Sequence, residues 1–323
     1  MRLSVPIFLA IVLTACLPAT PTPTSPPTAA QTDLPPSTST LLPNPDPLAR
    51  TTTDRPDDHE GFQIHFVYAL PSDGEDRALD LNGQIETSAR AANRWLAEQS
   101  GGSKLRYDTF NGKLDVTFLQ LEYSAEVLNR LGPSIVQGFD QSFRDLGFDT
   151  THKLYIVFYD GDFILEGSSL ACGQSTQPPV TWGISATIYL RGYSPEFEIF
   201  SCPEPTNSTE EAAYLELVLL HEIFHLLGAV PECAPNHDGS HVTDNEADLM
   251  SSTQLASVAL SEIELDIGRD DYFAHGYLGC PDLARSVFLD PLPNFAQEPP
   301  AWRFSSQLRL RNPFLDLYQL TIE

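Results

Sequence analysis

Basic residues are scarce in this sequence: 18 Lys and Arg stand against 44 Asp and Glu, giving a formal net charge of −26. A chain that binds nucleic acid needs a cationic footprint to displace counterions from phosphate, so that function class is excluded. The same shortage excludes polybasic attraction to anionic lipid, and solvated surface acids account for the charge. No apolar run reaches the length that spans a bilayer. No CxxC pair occurs, which argues against a zinc ribbon. Methionine is almost missing, with Met1 and Met250 the only 2, and no internal repeat is found. What is present suffices for a sizeable core: 323 residues, 41% of them hydrophobic, enough for one large domain or two small ones.

The amino terminus reads as a processing segment. Arg2 precedes Val5-Pro6-Ile7-Phe8-Leu9-Ala10-Ile11-Val12-Leu13, a run of the length of a signal-peptide core. It ends in Leu13-Thr14-Ala15-Cys16, which resembles a bacterial lipobox, where cleavage precedes a lipidated cysteine. The resemblance implies a signal peptide over 1–15, a lipid on Cys16 and a place in the bacterial cell envelope, outside the cytoplasm and anchored to the membrane. An ordinary secreted protein cut nearby is the plainer alternative. Residues 16–58 then form a Pro/Thr/Ser-rich tether with too few large apolar side chains to offset ordering entropy. Cys172, Cys202, Cys233 and Cys280 remain, an even number in an exported chain. Two disulfides are expected, and Cys172–Cys202 with Cys233–Cys280 is favoured because each closes a local segment.

Residues 59–280 read as the folded domain, and 281–323 as a carboxy-terminal extension whose runs Gln307–Leu310 and Phe314–Leu320 suggest a small β-hairpin. A β-rich run over Phe62–Leu70 opens the domain. Ile85, Ala89, Ala92, Trp95 and Leu96 recur at helical spacing between Leu81 and Gln99, and Gly101-Gly102 stops them. Two strand-like runs follow, Leu105–Phe110 and Leu114–Leu121. Ile135, Phe139 and Phe143 predict a second helix between Pro133 and Phe148. Leu154–Tyr159 is near-continuously apolar, as a central strand would be. Trp182–Leu190 alternates weakly and is expected at an edge. Leu255–Ile267 looks helical. The order predicts an α/β (α+β) domain, with helices packed on a twisted mixed sheet.

The chemistry concentrates in one segment. Ser208-Thr209-Glu210-Glu211 has the capping-box pattern, and Ala212–Leu227 is apolar almost throughout until Gly228 and Pro231 end it. Three ionisable residues, His221, Glu222 and His225, lie inside that buried stretch, where burial is costly without a compensating partner. His221 and His225 are a helical turn apart on the same face and can share one metal ion. Glu222 is rotated by about 100°, beside the ion and placed to move the proton of an activated water.

His221-Glu222-Ile223-Phe224-His225 is the HExxH pattern, and His225-Leu226-Leu227-Gly228 resembles the opening of the metzincin signature HExxHxxGxxH. Asp248-Leu249-Met250-Ser251 is similar to the metzincin Met-turn, with Met250 as the floor beneath the ligands; a gap-filling core methionine is the plainer reading. The family's third ligand falls on Pro231, which cannot ligate, and no tyrosine follows Met250. The resemblance, over roughly residues 60–275, therefore implies a metzincin-like catalytic domain with a loop inserted before the third ligand. His241 is the favoured third ligand, because imidazole suits zinc and Asp238-Gly239-Ser240 precedes it as a flexible turn. Asp244 is the serious rival and His237 the next; Glu232, Asp238, Glu246 and Asp248 also lie in the window. The family pairs substrate backbone with an edge strand just before the zinc helix, a place that Trp182–Leu190 occupies. A disulfide from Cys233 to Cys280 would pin the inserted loop. Asp270-Asp271-Tyr272-Phe273-Ala274-His275-Gly276 reads as a solvated loop, with a secondary site for a cation such as Ca2+ the alternative.

The expectation is a membrane-anchored, extracytoplasmic zinc endopeptidase acting on a protein or peptide, with one catalytic Zn2+ and Glu222 as general base. A catalytically silent, zinc-stabilised surface binding lipoprotein and a cell-wall amidase with the same zinc chemistry are the alternatives.

Overall fold

The computed structural model describes residues 50–161, 172–176, 183–191, 202–252 and 258–299. The leader, Cys16, most of the tether, Trp182 and the runs 307–310 and 314–320 lie outside the described residues. In chain order the elements are β1 (Gln63–Leu70), α1 (Gln84–Ser100), β2 (Lys104–Leu105), β3 (Thr109–Phe110), β4 (Lys113–Leu114), β5 (Val116–Gln120), α2 (Ala125–Asn129), α3 (Ile135–Asp145), β6 (Lys153–Tyr159), β7 (Gly173–Ser175), β8 (Ser185–Tyr189), α4 (Tyr214–Leu227), β9 (His237–Asp238), β10 (His241–Val242) and β11 (Leu289–Asp290).

The main sheet runs β5-β1-β6-β8-β7. Its first four strands are parallel and β7 is antiparallel at the edge. β1 and β6 are central and buried along their whole length; β6 accordingly reads as a near-continuous apolar run, whereas β1 opens with the alternation Gln63-Ile64-His65-Phe66 although its polar side chains are buried too. Their register sets Phe66 opposite Ile156 and Tyr68 opposite Phe158. From β1 the chain crosses one way to β5 and then back the other way to β6. Right-handed crossovers in opposite directions put α1 and α3 on opposite faces. On the α3 face, Phe143 stacks on Tyr155 with centroids 4.5 Å apart. On the other face α1 packs against α4. The domain is thus mixed α/β, as the sequence predicts.

Local chemistry explains several boundaries. Asn111-Gly112, both at positive φ (52° and 73°), turn β3 into β4, and the Asp58 carboxylate accepts from both of their amides at 3.0 and 2.7 Å. Residues 50–58, at the end of the stretch read as a tether, are bound to the sheet. Lys153 Nζ donates to Asp54 and Asp57, Arg55 pairs with Asp115, and Arg50 pairs with Asp76 and Asp80.

Two expectations are corrected here. Trp182–Leu190 does not supply the edge strand, because Ser185–Tyr189 lies between β6 and β7 and is buried throughout. Its polar alternation misleads, since Ser185 faces a buried partner: its hydroxyl donates to Asp140 at 2.6 Å. Nor is Leu255–Ile267 a helix among the described residues, which hold only a 3-10 turn at Leu260–Glu262. Past it, the Asp266 carboxylate gathers backbone amides of Asp271, Tyr272 and Phe273, a local competitor that favours a loop.

Candidate metal centre

α4 carries the centre, and its start differs from the sequence reading. The helix begins at Tyr214, and Ser208 does not cap it. Glu216 does that work from inside the first turn: its carboxylate accepts from Ala213 N at 2.9 Å, from Thr206 N at 3.0 Å and from the Ser88 hydroxyl of α1. At the other end Gly228 takes φ 79°, its amide donating to the His225 carbonyl and Ala229's to that of Phe224. That left-handed turn sends the chain back beneath its own helix.

The returning chain forms β9 and β10, an antiparallel pair in which His241 lies opposite Asp238. This brings three imidazoles together. Nε2 of His225 lies 3.0 Å from Nε2 of His221 and 3.2 Å from Nε2 of His241. His221 Nδ1 donates to the Leu249 carbonyl at 2.7 Å, which fixes its proton there and leaves Nε2 with a lone pair. Burial, and then the neighbouring imidazoles, push His221 down to about 4 and His225 well below its ordinary value; burial also lowers His241. All three are therefore neutral at pH 7, with lone pairs crowded into one small volume.

Such crowding repels unless a cation sits between the nitrogens. Tetrahedral zinc with bonds of about 2.05 Å sets its ligand nitrogens about 3.3 Å apart, close to the separations seen here. The residues present therefore fit zinc. Glu222, one step along α4, is 7% exposed, and burial raises its carboxyl to about 8. A cation held by the adjacent imidazoles would draw that value down. Its place is made by Gly173 of β7, where a Cβ would stand 2.5 Å from Glu222 Cγ and 2.7 Å from Oε1.

The rival third ligands are elsewhere. His237 Nδ1 is engaged by the Val230 carbonyl at 2.8 Å. Asp244 groups with Asp270 and Asp271, and the Asp271 carboxylate is already occupied by Asn236 through its backbone and side-chain amides at 2.9 and 3.0 Å. Asp248 is buried behind the turn that holds Leu249 and Met250. A further group, Asp54, His65, Asp108 and Asp115, already contains its cations in Lys153 and Arg55. Met250 is fully buried, and its carbonyl accepts from Val242 N at 2.9 Å. Both disulfides pair as expected. Cys172–Cys202 closes onto β7, and Cys233–Cys280 clamps the loop that leads to His241. Gly173, which the sequence does not single out, and Tyr272, which it places only in a solvated loop, touch this arrangement, and neither belongs to a motif.

No protein-family model and no curated protein matches the chain. Solved structures similar to it include an archaemetzincin from Methanopyrus kandleri, 15% identical, covering 62% of this chain and 85% of that one with a TM-score of 0.31. OgpA from Akkermansia muciniphila is 14% identical over 74% of this chain and 69% of its own, with a TM-score of 0.33. Catalytically inactive OgpA in complex with an O-glycopeptide substrate is 16% identical over 64% and 58%, with a TM-score of 0.30. Likeness of this degree carries no argument about activity, which has to come from the residues themselves.

Proposed function

We propose that the chain is a zinc-dependent metalloendopeptidase of the cell envelope, anchored through Cys16 by a tether and acting on protein or peptide substrates. One observation carries the reading: the Nε2 atoms of His221, His225 and His241 converge while Glu222 stands beside them on the same helix. Zinc bound there supplies Lewis acidity, polarising a carbonyl and acidifying water. His221, His225 and His241 would hold it with neutral imidazoles, the three-ligand donor set of a catalytic rather than a closed structural site. Glu222 takes the proton of the attacking water and returns it to the departing amine, a role suited to a carboxylate in a largely dry pocket. The two disulfides fit an oxidising compartment outside the cytoplasm. Among the described residues no helix is long and apolar enough to cross a membrane. The reading places attachment on a lipid at Cys16, supported by the lipobox-like Leu13-Thr14-Ala15-Cys16.

The test is metal content together with cleavage of a peptide library by the purified chain. About one zinc per chain and peptide-bond hydrolysis are expected. Glu222→Gln should keep the zinc and lose at least about 100-fold in rate. Hydrolysis surviving in that variant overturns the mechanism. Zinc without any hydrolysis by the wild type leaves a zinc-stabilised binding protein, and cleavage of cell-wall fragments alone makes the chain an amidase. In cells, Cys16→Ser should move the protein out of the membrane fraction.

A further inference from the structure

The turn from Asp248 to Ser251 touches the supports of two of the three histidines. Its Leu249 carbonyl accepts the His221 Nδ1 proton at 2.7 Å. Its Met250 carbonyl accepts Val242 N at 2.9 Å, which sets β10 and with it His241. The third ring has no such help among the described residues, where Nδ1 of His225 is buried without a partner. The orientation of the donor set therefore depends on where this turn holds two carbonyls.

Asp248 holds the turn. It is 1% exposed, and its carboxylate is used on every side. Oδ1 accepts from Met250 N at 2.7 Å and from the Tyr272 hydroxyl at 2.9 Å, and Oδ2 accepts from Ile267 N at 2.7 Å. Tyr272 is fully buried, and its oxygen also accepts from Asp266 N at 2.8 Å. Its ring lies against Phe224, centroids 6.1 Å apart, on the helix that bears His221 and His225. A closed circuit results. It runs from α4 through Phe224 to Tyr272, Asp248, the turn and the Leu249 carbonyl, and returns to α4 at His221. Outer partners that fix a ligand imidazole before the ion arrives raise its affinity.

We propose that Asp248, with the Tyr272 hydroxyl it accepts from, is the positioning group of the three-histidine centre and sets its zinc affinity through the Leu249 and Met250 carbonyls. The proposal rests on the zinc reading given above, and the experiment separates the two. In the full chain, zinc affinity is measured by competition with a chromogenic chelator, and the absorption bands of the cobalt(II) form report ligand geometry. Tyr272→Phe keeps the ring against Phe224 and is expected to weaken zinc about 10- to 100-fold and to shift the cobalt bands. Asp248→Asn keeps an oxygen for Met250 N but turns an amide toward Ile267 N, and is expected to weaken zinc likewise. Glu216→Gln, buried at the far end of α4, is the stability control: it should lower the melting temperature and leave zinc affinity unchanged. Equal weakening in Glu216→Gln and Tyr272→Phe would mean that affinity follows general stability, and the proposal is overturned. Wild-type affinity and spectrum in Tyr272→Phe overturn it as well, whether or not the Asp248 variants fold. A wild-type chain that binds neither metal overturns the zinc reading itself.

Discussion

Gly173 shows how much a missing side chain can matter. A methyl group there meets Glu222 at 2.5 Å, far inside van der Waals contact, and Val218 at 2.8 Å. Because Gly173 belongs to the edge strand and Glu222 to a helix buried against it, neither can move away freely. Gly173→Ala should therefore shift the carboxylate by a fraction of an ångström to about 1 Å, enough to cost about 100-fold in kcat. Zinc affinity should hardly change, because none of the three imidazoles leans on that residue. A variant with normal kcat would show that Glu222 does not need this place. At the same scale, His221, Glu222 and His225 are legible from five consecutive residues, since helical periodicity alone aligns them. Gly173 is not legible, because its meaning comes from a side chain 49 positions away that only the tertiary fold brings near.

Elements were legible in proportion to how strongly one environment dictated their residues. β1 and β6 lie between two helical layers, and α1 and α3 each present one apolar face, so composition and period agree with place. The start of α4 was not, because the cap is Glu216, a residue inside the helix bonded to α1, rather than the Ser208 that local pattern favours. β8 reads as an edge strand for a related reason: Ser185 sits beneath α3, paired with a buried acid. That acid, Asp140, is fully buried, and burial raises its carboxyl to about 6 from an ordinary 3.8. The native state thus holds a proton that the unfolded chain has released between about pH 4 and pH 6. Stability should fall as pH rises through that window, by at most about 1.4 kcal/mol per unit, and level off above it. Asp140→Asn keeps an oxygen for Ile184 N and the Ser185 hydroxyl and should flatten the slope in urea titrations run at several pH values. An unchanged slope would assign the pH dependence to other groups.

For the molecule as a whole, the Cys233–Cys280 bridge joins stability to the candidate metal centre. It closes a separation of 47 residues, worth about 4 kcal/mol by loop entropy. It also fastens the chain between Pro231 and His241 to the loop that ends at Cys280. Replacing both cysteines with serine should lower the unfolding free energy by about that amount in denaturant titrations. It should weaken zinc as well, since His241 would then be delivered by a longer free loop. Loss of stability with zinc affinity intact would mean that the β9–β10 pair and the bonds of Asn236 to Asp271 suffice to hold His241.

Sealing Met250 in the interior also shapes how the protein meets oxidants. Beyond the initiator it is the only methionine in the chain, and it is fully buried, while Cys172, Cys202, Cys233 and Cys280 are spent in disulfides. Peroxide or hypochlorite arriving at the folded domain finds no accessible thioether or thiol among the described residues. Sulfoxide can form at Met250 only when the turn behind the histidines opens. The extent of its oxidation then clocks how often that turn lets go.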